Sequence, residues 1–163
     1  MGSKAFRARS LPGDLSKKID QVMARNMSII VGEVPGPCRM FQDYLKRKKY
    51  ARVTVGHAKS IRYNAGHWKT KQYGQSVTER ERNMIEECDS AIIIWQDNSG
   101  VIAENLEMLK RLGKPTYLYE FNTKTRRGKA DWLDTDRVYD PYYNWKEYMR
   151  KNKLNKSCRR SAD

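Results

Sequence analysis

A glutamate near the start of a predicted helix is the residue best placed for chemistry. Glu104 follows the loop 96–101, which is small and polar and contains Gly100 directly before the helix. Backbone amides at a helix start bind anions, so the loop suits the phosphate or ribose of a nucleotide, with Asn98 and Ser99 as side-chain contacts. A carboxylate beside a bound ligand can act as nucleophile or electrostatic stabiliser. The alternative for Glu104 is a charge that only stabilises the helix dipole.

A second loop, after the first predicted strand, carries two glycines and a carboxylate. Gly32 and Gly36 let the backbone of the 32–38 loop approach a ligand closely, and the following helix offers unpaired amides. The loop has neither the GxGxxG pattern nor the lysine of a P-loop, and a plain strand-to-helix turn is the alternative. Glu33 in this loop and Asp97 in the first are both candidates for a second carboxylate, and the sequence does not choose between them.

A loop of about twenty residues, 57–77, separates the second strand from the next helix. Basic residues alternate there with aromatic ones, which suits a base stacked on an aromatic ring and a phosphate held by Arg62. Arg62, Asn64 and Trp68 are therefore candidate ligand contacts. A solvated loop whose aromatics cover the sheet edge is the alternative. The two histidines of the loop have no matching cysteine pair, so we predict no metal site.

Strand and helix alternate four times along the chain, which predicts an α/β fold. We expect a Rossmann-like parallel sheet of four or five strands with helices on both faces, in which ligands bind outside the carboxyl ends of the strands. The helix that begins near residue 78 is expected to start with a capping box of Thr78 and Glu81. The predicted helices are 13–26, one around 40–45, 78–88 and 102–112, and the predicted strands are 27–32, 52–56, 90–95 and 115–119.

The length of 163 residues fits one domain with appendages. Residues 1–12 are predicted to form an N-terminal arm, 13–149 the α/β domain, and 150–163 a basic flexible tail. No run of 18 apolar residues and no signal peptide is found, so no membrane span is expected. The three cysteines are widely spaced and fit free thiols in a reducing cytoplasm.

The chain has a formal net charge of +14, from 33 basic and 19 acidic residues. The excess is regional, because residues 39–82 hold twelve basic residues against three acidic ones, whereas 83–123 hold three against seven. A phosphate-bearing partner is therefore expected first, with nucleic acid on the basic surface as an alternative. The aromatic stretch 132–148 is expected to pack on the domain or on a second subunit, which would make a homodimer.

A succession of motifs spans the second half of the domain. Arg80-x-x-x-Met84, an aspartate at 89, an apolar strand and Ser99-Gly-Val-Ile-Ala-Glu104 follow one another in this order. They resemble the RKxxM, D and PGGxGTxxE motifs of the LOG phosphoribohydrolases and their SLOG relatives, with Gln96-Asp97-Asn98 in place of PGG. Residues 31–39 look like the GGAxGxD loop of stand-alone SLOG proteins. The glutamate after a Ser-Gly turn is also similar to that of nucleoside deoxyribosyltransferase-like N-glycosidases.

The resemblance covers about residues 28–119 and implies roles for two side chains. Arg80 would match the phosphate or catalytic arginine of the family, and Glu104 its catalytic glutamate. The first hypothesis is an enzyme that hydrolyses the N-glycosidic bond of a nucleoside 5′-monophosphate or a related nucleotide, without a cofactor. The second is a non-catalytic SLOG-like module that binds a nucleotide or nucleotide-derived signal. The third is a basic nucleic-acid-binding protein that uses the α/β core as a scaffold.

Overall fold

The computed structural model describes residues 1–98 and 100–137, and within them helices and strands alternate as an α/β fold. The elements begin and end close to their predicted positions. The helices are α1 (Gly13–Ala24), α2 (Pro37–Arg47), α3 (Val77–Glu87) and α4 (Val101–Arg111), and the strands are β1 (Ile29–Gly32), β2 (Val53–His57), β3 (Lys69–Gln72), β4 (Ala91–Gln96), β5 (Thr116–Asn122) and β6 (Arg127–Trp132).

The strands form two three-stranded sheets, and the predicted α/β class is confirmed. The first sheet has the order β1-β2-β3 and is parallel throughout. In the second sheet, β4 and β5 are parallel, and β6 returns antiparallel to β5. The sequence predicts four or five parallel strands. The described part of the chain has six strands, and one of them, β6, is antiparallel.

The two strands that sequence reasoning missed, β3 and β6, both lie at sheet edges. Every residue of β3 is exposed, and so are five of the six residues of β6. An edge strand is held by backbone pairing on one side and needs no apolar face, so neither segment shows a strand pattern. The predicted loop 57–77 thus contains a strand whose Thr70 pairs with Val55 of β2.

Apolar side chains cover both faces of the sheets. Alternate residues of β4 point to opposite sides: Ile94 joins the core cluster of α1 and α2, whereas Ile93 and Trp95 join that of α4. Strand β4 is therefore buried on both faces, as its near-continuous apolarity predicts. The described helices include none long and apolar enough to cross a membrane. Cys38 and Cys88 are free thiols, and burial raises the pKa of the Cys88 thiol.

The start of α3 differs from the prediction. Ser76 is the N-cap, and its hydroxyl accepts a hydrogen bond from the amide of Glu79 at 3.1 Å. The Glu79 carboxylate accepts in return from the amide of Gln75 at 2.8 Å. The predicted capping box of Thr78 and Glu81 is therefore wrong, because Thr78 already lies inside the first turn, and Glu81 is buried instead.

The N-terminal segment extends the second sheet. Gly2 bridges in parallel to Ile94, and the Ser3 amide donates to the Ile94 carbonyl at 2.8 Å. The Ser3 hydroxyl also accepts from the amide of Gln96, where β4 ends. Phe6 is buried and packs edge-on against Phe121 of β5, with 5.4 Å between ring centroids. The first residues of the chain thus pack on the core beside the carboxyl end of β4.

Candidate functional site

A buried carboxylate lies at the carboxyl end of β1, where parallel sheets bind their ligands. Glu33 directly follows the last residue of the strand, and its side chain is only 1% exposed. Its Oε1 accepts a hydrogen bond from Nη1 of Arg80 at 2.7 Å. Its Oε2 has no hydrogen-bond partner among the described residues, and the Nε atom of Arg62 lies 4.0 Å from it.

Arg80 joins Glu33 to a second buried carboxylate. The Arg80 side chain is 1% exposed, and its Nη2 donates to Glu81 at 3.4 Å. The other oxygen of Glu81 accepts from the amide of Asn105 on α4 at 2.9 Å. We call Glu33, Arg80, Glu81 and Asn105 the buried ionic cluster. It holds two carboxylates and one guanidinium, so its formal charge of −1 leaves room for a further cation or hydrogen-bond donor.

Gln42 is a site residue that sequence reasoning missed. Its side chain is fully buried in α2, and its amide donates to the carbonyl oxygens of Gly32 at 2.7 Å and Tyr63 at 3.2 Å. Its own oxygen accepts from the amide of Ala65 at 2.9 Å. Gln42 therefore fastens the segment after β2 to the end of β1. The available signal was a polar residue beside Phe41 in the apolar stripe of a predicted helix.

The segment around Arg62 is fixed on its other side as well. Tyr63 donates a hydrogen bond from its hydroxyl to Asp43, and this carboxylate raises the pKa of the phenol. The Arg39 guanidinium lies 4.4 Å from the centroid of the same ring. Arg62 itself is 56% exposed at the side chain. A fixed backbone thus carries a cationic side chain that can move over Glu33.

Asn64 and Trp68 have structural contacts in this segment. The Asn64 side chain donates to the Trp68 carbonyl at 2.8 Å and accepts from the Trp68 amide at 3.0 Å. The indole nitrogen of Trp68 donates to the Tyr50 carbonyl at 2.9 Å, and its half-buried ring packs against the core. Both predicted ligand contacts therefore stabilise the fold of the loop that presents Arg62.

In the loop after β4, the side chains of Asp97 and Asn98 are hydrogen-bonded to other residues of the protein. Both carboxylate oxygens of Asp97 accept hydrogen bonds from Thr123, one from the amide and one from the hydroxyl, each at 2.8 Å. Asn98, in the amide orientation that satisfies both groups, donates to Glu120 and accepts from Arg137, each at 3.2 Å. Ser99 lies outside the described residues. Gly100 is exposed, and its φ of 77° and ψ of −159° belong to glycine.

Glu104 and Arg80 do not contact each other directly. Glu104 lies in the first turn of α4, is exposed, and forms no hydrogen bond or ion pair with any other described residue. The guanidinium of Arg80 is bonded to Glu33 and Glu81, and the nearest link to α4 runs through Asn105. The arrangement thus brings Arg80, Glu33 and Arg62 together and leaves Glu104 on the surface.

Gly36 ends the loop after β1 and faces the N-terminal segment. Its φ of 93° and ψ of −137° again require glycine. A Cβ added there would lie 3.2 Å from the carbonyl oxygen of Lys4.

We call Gly32, Glu33, Arg62 and Arg80 the β1-end site.

No protein-family model matches this chain, and no curated protein or solved structure gives a significant match to it. The described helices and strands form a Rossmann-like α/β fold. Its candidate functional site is the β1-end site.

Proposed function

We propose that this protein binds a nucleotide or a nucleotide-derived molecule at the β1-end site. The observation that carries the proposal is the Oε2 atom of Glu33, a buried carboxylate oxygen without a hydrogen-bond partner in the described part of the chain. A buried acceptor left unpaired costs about 1–3 kcal/mol, which a ligand donor would recover. Ribose hydroxyls are donors of this kind, and carboxylates at strand ends bind them in dinucleotide-binding folds.

Arg62 supplies the second half of the proposed site. Its guanidinium is 4.0 Å from Glu33, too far for a hydrogen bond, and more than half of its side chain is exposed. Such a side chain can turn away from the carboxylate toward a phosphate, which binds a guanidinium through two parallel hydrogen bonds. The ribose would then contact Glu33 and the 5′-phosphate would contact Arg62. The resemblance of residues 31–39 to the SLOG ligand loop supports the same location.

A second candidate function is hydrolysis of the N-glycosidic bond of the bound nucleotide. It is favoured by Glu104, which is exposed in the first turn of α4 and makes no polar contact within the described residues. A free carboxylate of this kind could stabilise an oxocarbenium-like transition state. Arg80 would act as a positioning residue, because its guanidinium is buried and bonded to Glu33 and Glu81.

Arg62→Gln tests the binding proposal. Isothermal titration with a panel of nucleoside 5′-monophosphates should show at least one ligand whose affinity falls by about tenfold or more, because a charged hydrogen bond is removed. The melting temperature should stay unchanged, since Arg62 is exposed. Lys59→Gln removes the same charge three residues earlier and should bind as the wild type does. Equal affinities of wild type and Arg62→Gln, or no binding of any monophosphate, would refute the proposal.

Release of free base from the same panel separates binding from hydrolysis. If the protein is a hydrolase, the wild type releases base and Glu104→Gln releases little or none, while both bind the nucleotide. If the wild type releases no more base than Glu104→Gln, the second candidate fails and the binding proposal stands on the titration alone.

A further inference from the structure

A concave groove of about 330 Å³ lies between the N-terminal segment and α2. Four arginines line it, with Arg7 and Arg9 on one wall and Arg39 and Arg47 on the other. Among the described residues that line the groove, only Asp43 is acidic. We call this surface the arginine groove. It shares no residue with the β1-end site, so it is a second basic feature of the molecule.

The arginines of the groove form few and weak ion pairs with carboxylates of the described residues. Arg9 makes no hydrogen bond or ion pair with another described residue. Arg47 lies 5.2 Å from the ring centroid of Tyr44 and has no described carboxylate within ion-pair distance. Arg39 is 4.0 Å from Asp43, and both of these side chains are more than half exposed. Such a long, exposed ion pair contributes little and leaves the guanidinium ready for another anion.

Arg7 fixes the opposite wall. Its guanidinium donates to the carbonyl oxygens of Lys4 and Phe6, the latter at 2.9 Å, and pairs with no carboxylate of the described residues. Phe6 and Leu11 are buried and hold this stretch of chain against the core. The wall formed by residues 7–10 is therefore anchored at both ends.

We infer that the arginine groove binds the phosphate backbone of a nucleic acid. Arg39 and Arg47 are eight residues apart on α2, a rise of about 12 Å along the helix. That rise equals about three to four nucleotide steps of 3.4 Å along the axis of a duplex, so the row is too long for one phosphate group. Guanidinium groups bind phosphate oxygens in pairs. Gly36 and the amino end of α2 also border the groove and add positive potential.

Two features favour nucleic acid over an acidic peptide. The groove offers a row of cations, and most of its larger apolar side chains are buried: Phe6, Leu11 and Tyr44 are buried, Met40 is half-buried and Pro35 is exposed. Peptide recognition normally adds apolar pockets for anchoring side chains. Contacts to phosphates alone also carry no sequence information, so we expect binding that depends on charge and hardly on sequence.

The test is the salt dependence of duplex DNA binding, measured by fluorescence anisotropy with the full chain. The slope of log K against log salt concentration is negative, and its magnitude falls by about 0.9 for each phosphate that the protein no longer neutralises. Arg9→Gln/Arg47→Gln should therefore reduce the slope by about 1.8, and Arg9→Lys/Arg47→Lys should restore most of it. Lys59→Gln/Lys69→Gln removes the same charge from the exposed surface near β3 and should keep the wild-type slope.

Three results would overturn the inference. The first is a wild-type slope for Arg9→Gln/Arg47→Gln with its melting temperature unchanged. The second is an equal reduction of slope in Lys59→Gln/Lys69→Gln, which would show that only net charge matters. The third is binding of polyglutamate as tight as that of the duplex at the same salt concentration. Binding of nucleoside monophosphates should be unchanged in Arg9→Gln/Arg47→Gln, so this inference and the β1-end site can fail independently.

Discussion

The loops after β1 and β4 occupy equivalent positions in the fold, but their carboxylates differ in hydrogen bonding. Each follows a parallel strand, contains a carboxylate, and enters a helix through a glycine at positive φ. In the β4 loop, both oxygens of Asp97 accept hydrogen bonds from Thr123. In the β1 loop, Glu33 is buried, pairs with Arg80 through one oxygen and leaves the other unpaired. Loop position alone therefore does not identify a ligand site. The proposed site rests instead on the buried Glu33 oxygen that has no hydrogen-bond partner among the described residues.

The largest expected effect comes from removing the cation of the β1 loop. Arg80→Met leaves the Glu33 carboxylate buried without its main partner, and loss of one member of a buried ion pair costs about 3–5 kcal/mol. Urea denaturation at pH 7 measures this change. Arg82→Met, an exposed neighbour in α3, should change the free energy of unfolding by less than about 0.5 kcal/mol.

A double variant sharpens this result. In Glu33→Leu/Arg80→Met both members of this pair are apolar, so part of the missing stability should return, as it does when buried ion pairs are replaced by packed side chains. The rest stays lost, because Glu81 remains buried without its ion pair to Arg80. A double variant no more stable than Arg80→Met would show that Glu33 is not the main partner of Arg80. Nucleotide binding should be lost in the double variant, because the Glu33 carboxylate has gone.

The helices and strands that cover the core could be predicted from the sequence, and strands β3 and β6 could not. Helices α1 to α4 and strands β1, β2, β4 and β5 have apolar periodicity or buried runs, because they must cover a core. Strands β3 and β6 have exposed side chains and are held mainly by backbone pairing, which leaves no pattern to detect.

The candidate site is only partly predictable for a similar reason. Glu33 and Arg62 are identifiable as candidate site residues from type and position, whereas Arg80 is a candidate only through the resemblance to the LOG and SLOG motifs. The ion pair between Glu33 and Arg80 joins residues 47 positions apart, and no local pattern encodes it. Gln42 escapes sequence reasoning because its role, bridging the end of β1 to the 63–65 segment, exists only after folding.

Gly36 and Gly100, the N-cap residues of α2 and α4, allow a matched comparison in which the expected losses of stability are intermediate. Gly100→Ala places a side chain at φ 77° and ψ −159°, a region that only glycine populates, and should cost about 1–3 kcal/mol. Gly36→Ala has the same kind of penalty and also brings a Cβ to 3.2 Å from the Lys4 carbonyl, whereas nothing lies within 4 Å at Gly100. Gly36→Ala should therefore be the more destabilising change in thermal unfolding. It should also expose the N-terminal segment to limited proteolysis, which Gly100→Ala should not do.

The smallest effect tests the β4 loop. Asp97→Asn keeps an oxygen that can accept from the Thr123 amide, and asparagine tolerates the φ of 53° at this position. It exchanges a charged acceptor of the Thr123 hydroxyl for an amide group, so the stability should fall by about 1 kcal/mol. Nucleotide affinity should equal that of the wild type, because the hydrogen bonds of Asp97 are made within the protein. If Asp97→Asn instead weakens nucleotide binding as much as Arg62→Gln does, both loops contact the ligand. The contrast between a satisfied β4 loop and an unsatisfied β1 loop would then no longer locate the site.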